Sequence, residues 1–159
     1  MLTDWQELRQ ARQSSKILSE VTTMTDYNKQ AQEFLDKCNA RMEIIFVCRM
    51  KNEAWQDVTS RNRYEVVITT PKGTMAFTFW DSTYNTNNCQ KPSAYSILAC
   101  LEKYDVGTID DFVREFGYEV HKWSDVKRIE DIYNAVVKEY NDLCRIFTPE
   151  QMEMLREIY

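Results

Sequence analysis

Asp110 and Asp111 stand side by side, and Glu115 follows about one helical turn later. Carboxylates at this spacing could hold a divalent cation or divide general-acid and general-base work. A simpler role is available, because Thr108 precedes the pair and acidic residues just after a threonine cap complement the positive end of a helix. Cys100 has no base near it in sequence, so a small buried hydrophobe is a better reading than a nucleophile. His121, the only histidine, stands between Val120 and Lys122 and reads as a surface or half-buried side chain rather than a general base. Nothing here assembles a nucleophile, a base and an orienting group, so the chain is not expected to be an enzyme.

Five cysteines (Cys38, Cys48, Cys89, Cys100 and Cys144) are odd in number and widely spaced. That argues for reduced thiols rather than a disulfide frame. No two have the short spacing of a zinc site, so no metal is expected. Gly73, Gly107 and Gly117 are isolated, which leaves no material for a phosphate-cradling loop or a dinucleotide fingerprint. No cofactor is expected.

Two surface features remain as candidates for binding. Arg41, Arg49, Lys51, Arg61 and Arg63 flank the predicted strands near Trp55, Tyr64, Phe77 and Trp80. A basic rim with exposed aromatics is how single-stranded nucleic acid is held, although Glu43, Glu53, Asp57 and Glu65 dilute the charge. The second feature lies further on, where residues 102–159 hold 8 Lys/Arg against 14 Asp/Glu, while residues 1–101 hold 12 against 11. An acidic helical face repels nucleic acid but suits a basic groove in a nucleic-acid enzyme. Asp110, Asp111, Glu115 and Glu119 are its expected centre; a solvated face that only keeps the protein soluble is the competing reading.

The elements that must position these residues can be read from periodicity. Thr3-Asp4-Trp5-Gln6 has the form of a capping box, with Trp5, Leu8, Ile17, Leu18 and Val21 as a broken stripe, so residues 1–23 are expected to be a helical extension. Thr25 can cap a helix to about Asn39 with Tyr27, Ala31, Phe34, Leu35 and Cys38 on one face. Met42 to Cys48 is nearly continuous in apolar residues, the pattern of a well-buried strand. Strands over Tyr64–Thr70 and Thr74–Trp80 flank a Pro71-Lys72-Gly73 turn. The polar loop Asp81–Lys91 follows. Pro92 then precedes a helix carrying Tyr95, Leu98, Leu101 and Tyr104, and an Asp105-Val106-Gly107 turn leads to a Thr108-capped helix that Gly117 ends. Ser124 is the expected cap of the longest helix, about Asp125–Cys144, and Thr148-Pro149-Glu150-Gln151 opens the last one.

The 159-residue chain, of which 43% is hydrophobic and 28% charged, suits one α+β domain. Its parts would be the 1–23 extension, a helix plus a sheet of about three antiparallel strands over 24–91, and a four-helix half over 92–159. No run of about 18 apolar residues marks a membrane span and no secretory leader is recognisable, so a cytoplasmic protein is expected.

The strings MTDYNKQAQEFL, KPSAYSILACLEKYDVGTIDDFVREFGY and RIFTPEQMEML carry a likeness over residues 24–159. They resemble a group of small bacteriophage and mobile-element proteins that read "PTAYDVLACL", then an acidic-aromatic helix ending "FGY", then a Tyr-containing helix and an acidic closing one. The resemblance implies a phage accessory gene acting on a host factor and carries over no catalytic residue. Together with the acidic half it suggests a non-enzymatic inhibitor of a host defence or nucleic-acid-processing protein, as some anti-CRISPR proteins are. The alternative is a nucleic-acid-binding accessory protein using Arg49, Lys51, Arg61, Arg63 and Trp55. The oligomeric state is open, with residues 1–23 as able to mediate dimerisation as to pack on their own domain.

Overall fold

A computed structural model describes residues 24–51, 59–84 and 91–159. In order along the chain these form α1 (Met24–Lys37), β1 (Arg41–Lys51), β2 (Thr59–Thr70), β3 (Gly73–Tyr84), α2 (Ala94–Ala99), α3 (Ile109–Phe116), α4 (Trp123–Ile146) and α5 (Pro149–Arg156). The three strands make an antiparallel meander in the order β1-β2-β3, so the α+β expectation holds. The proposed helix over 1–23, Trp55 and residues 85–90 lie outside the described residues, and Asp81–Tyr84, expected to open a loop, continue β3 instead because they pair with Thr59–Asn62 of β2.

Alternation along β2 decides which face meets the helices. Tyr64, Val66 and Ile68 are buried. Their register partners Phe46, Ile44 and Met42 on β1, and Phe79, Phe77 and Met75 on β3, share that face. Against it pack Tyr27, Ala31, Phe34 and Leu35 of α1, Tyr95 and Leu98 of α2, and Leu143, Ile146, Phe147 and Leu155 from the C-terminal helices. Two ring contacts cross this layer, Tyr27 on Tyr95 at 4.6 Å and Phe34 on Phe147 at 5.3 Å. The reversal from α1 into β1 uses Asn39 at φ +52°, a left-handed position that asparagine tolerates.

The hairpin tip is fastened to the end of α4. The Thr70 hydroxyl donates to the Ile146 carbonyl at 2.6 Å, and Arg145 Nη2 donates to the Thr74 carbonyl at 2.8 Å. The last carbonyls of a helix have no partner within it, so the Thr70 hydroxyl satisfies an acceptor at Ile146 that burial would otherwise strand.

A smaller core lies away from the sheet. Phe112 of α3 is buried between Val106, Ile132 and Val136. Its ring meets those of Phe116, Tyr118 and Tyr133 at 5.0, 5.6 and 5.6 Å. This second cluster fixes α3 on α4.

Three further expectations change. The Met42–Cys48 strand is not buried throughout: it is an outer strand of the sheet, and Ile45, Phe46 and Val47 are exposed. A strand with one described neighbour and helices over part of one face keeps solvent on the rest. The helix after Pro92 stops at Ala99 instead of running to Tyr104. There Glu102 N–H donates to the Glu139 carboxylate at 2.6 Å and Arg156 Nε donates to the Lys103 carbonyl at 3.0 Å, so contacts with the C-terminal helices replace a further turn. The long helix begins at Trp123, not after Ser124, because Asp125 Oδ2 accepts from the backbone of both His121 and Lys122.

Candidate protein-binding surface

The acidic candidates are built by one cap. Thr108 Oγ1 accepts from Asp111 N–H and the Asp111 carboxylate accepts from Thr108 N–H, both at 3.2 Å, and Gly117 at φ +67° ends the helix. Side-chain hydrogen bonding with Thr108, then its backbone N–H, holds the Asp111 carboxyl below the usual carboxylate range, and Arg114 adds to the effect. Asp111 is therefore occupied with the cap and with the Arg114 guanidinium. Asp110 and Glu115 lie exposed on the outer side of α3, and Glu119 lies exposed beyond its end with His121 Nε2 at 3.0 Å. Of the four residues expected at the centre of the acidic face, three present an outward carboxylate and one holds the helix in shape. Glu102, counted in the acidic half, is buried and leaves that surface.

The turn before α3 sets its angle. Gly107 sits at φ +72°, its N–H donates to Asp105 Oδ1 at 2.9 Å, and its carbonyl accepts from the Tyr133 hydroxyl at 2.6 Å. A Cβ at Gly107 would come within 2.9 Å of Asp111 Oδ2, so glycine is required both by φ and by space.

The connector from α3 and the first residue of α4 add what the sequence reading missed. Trp123 is 87% exposed and Val120 is 51% exposed. At 100° per residue, Trp123 falls roughly 120° around the helix from the buried Ile129. That offset could have been read from the sequence had the helix been started at Trp123.

The basic candidates do not converge. Register pairs Arg49 with Asn62, Cys48 with Arg63 and Met50 with Arg61, and an irregularity between Phe46 and Cys48 separates these pairs from the regular ladder. Alternation then places Arg49 on the sheet face shared by Tyr64 and Val66, and Arg61 and Arg63 on the opposite face. Lys51 pairs with Ser60 at the strand end; its side chain and the whole of Trp55 lie outside the described residues. Arg63 Nη2 contacts Glu65 Oε1 at 3.0 Å and its guanidinium lies 6.0 Å from the centre of the Trp80 ring. The Thr78 hydroxyl, 2.8 Å from Glu65, leads the interactions that lower the Glu65 pKa, with Arg63 contributing. Tyr64 is fully buried.

Among the described residues no group of three His, Cys, Asp or Glu side chains could hold a metal ion, and no helix is long and apolar enough to cross a membrane. No family model, curated protein or solved structure matches the chain.

Proposed function

We propose that this is a non-enzymatic binding protein that engages a basic groove on another protein through the corner formed by α3, the connector and the start of α4. The observation that carries the reading is Trp123, held 87% exposed four residues from Glu119. A tryptophan so placed gains most from being covered, and buried Trp residues are frequent energetic centres of protein interfaces. Asp110, Glu115 and Glu119 would steer a basic surface towards it. In the phage setting that the resemblance implies, the target is a host defence or nucleic-acid-processing protein, and occupying its groove inhibits it in the manner of an anti-CRISPR protein.

The test is capture by the tagged protein from lysate of its bacterial host, with and without nuclease, at low and high salt. A discrete protein that survives nuclease and is released by salt supports the reading; nucleic acid alone, lost with nuclease, contradicts it. A second reading draws on the open sheet face, where Arg61 and Arg63 accompany Trp80: this face would bind single-stranded nucleic acid by charge and stacking. Neutralising Arg61 and Arg63 would then flatten the salt dependence of binding.

A further inference from the structure

The Met42–Cys48 segment has the composition of a strand covered on both faces, yet it lies at the edge of the sheet. Ile45 and Met50 are each 51% exposed, and Phe46 and Val47 are each 45% exposed. Ile45 stands on the open face and Phe46 on the helix-covered face, so the apolar surface wraps around the edge. Among the described residues, only β2 pairs with β1, which leaves its outer row of N–H and C=O groups without a strand. A long edge of this composition is a template for adding another strand.

We propose that β1 pairs antiparallel with β1 of a second copy of this chain, joining two three-stranded sheets into one of six strands about a two-fold axis. Charge and register favour this occupant. Parallel pairing would line Arg41, Glu43 and Arg49 up with their own copies, and like charges directly opposite are destabilising. Antiparallel pairing about Ile44 sets Met42 level with the partner's Phe46 and Glu43 level with the partner's Ile45. The irregularity after Phe46 leaves Arg41–Phe46 as the regular stretch for this ladder. A two-fold contact of identical edges also closes on itself, whereas joining β1 to the far edge on β3 would propagate without end.

The area sets the strength. Ile45, Phe46 and Val47, half exposed at roughly 100 Å² each, give two copies on the order of 600 Å², the size of a weak, transient contact rather than a permanent dimer. The pairing is therefore concentration-dependent. It does not depend on the acidic corner, so either reading can fail without the other.

Sedimentation equilibrium of the full chain, from roughly 1 μM to roughly 500 μM, spans the range of so weak a contact. The average mass should climb from 19.0 kDa towards twice that value. Ile45→Lys and Val47→Lys should each hold the protein monomeric at the highest concentration with an unchanged circular dichroism spectrum, while Trp123→Ala associates like the parent. Hydrogen exchange on the parent gives a readout independent of the variants: amides of residues 41–46 should gain protection as concentration rises. A parent monomeric throughout, a dimer that survives both lysine substitutions, or β1 amides equally protected at every concentration would each overturn the proposal.

Discussion

Thr70→Val tests whether the hairpin tip and the end of α4 are held by one hydroxyl. Thr70 is buried; its Oγ1 donates to the Ile146 carbonyl at 2.6 Å and accepts from Lys72 N–H at 3.1 Å. Valine keeps the shape and removes both bonds, stranding a buried helix-end carbonyl. Leaving such a group unsatisfied costs about 1–3 kcal/mol. At about 2–4 °C per kcal/mol for a chain of this size, a loss near 2 kcal/mol lowers Tm by roughly 4–8 °C. Thr70→Ser keeps the hydroxyl and gives up one methyl, worth about 0.8 kcal/mol. Melting followed by circular dichroism should rank the parent first, serine second and valine last. Valine as stable as the parent, or serine as damaging as valine, would refute the argument.

Other substitutions probe separate points of the account. Gly107→Ala forces a left-handed residue to carry a side chain, at about 1–2 kcal/mol, and pushes it against Asp111; thermal melting should show the loss, and an unchanged Tm would mean the turn relaxes freely. Burial raises the Asp81 pKa, so the folded state is penalised when that carboxyl is charged, and the penalty is relieved as pH falls through the folded value. Asp81→Asn should accordingly raise Tm at neutral pH, with the gain fading in acid; a gain that is the same at all pH values would contradict this. Burial pushes the Cys38 thiol up to about 11, whereas Cys144 is exposed. At mildly alkaline pH an alkylating reagent should modify Cys144 well before Cys38, and mass mapping of the labelled peptides would expose the reverse order.

Local signals carried much of the fold. Thr108 and Thr148 each make the reciprocal cap that their spacing announces, and Gly117 takes the left-handed position expected of it. The Pro71-Lys72 turn joins two strands whose alternation is visible in Val66, Ile68, Met75 and Phe77. What escaped depends on neighbours distant in sequence. The exposure of Phe46 follows from strand order, which composition does not encode, and the end of α2 follows from Glu139 and Arg156, which lie 37 and 53 residues from their backbone partners Glu102 and Lys103. At the acidic corner, Asp110, Glu115 and Glu119 could be named from the sequence, but Asp111 had two compatible roles and only its bonds to Thr108 and Arg114 separate them. The basic rim failed to converge because a strand irregularity and alternation divide Arg49 from Arg61 and Arg63.

The most direct test is equilibrium binding between this chain and the basic protein proposed as its target, comparing the parent with Trp123→Ala and with the triple charge reversal Asp110→Lys, Glu115→Lys, Glu119→Lys. The account predicts that Trp123→Ala weakens binding by at least about tenfold, since central aromatic anchors are worth about 2 kcal/mol or more. The charge reversal should slow association and abolish its salt dependence. Binding that is unchanged in both variants would place the interface elsewhere and contradict the central claim.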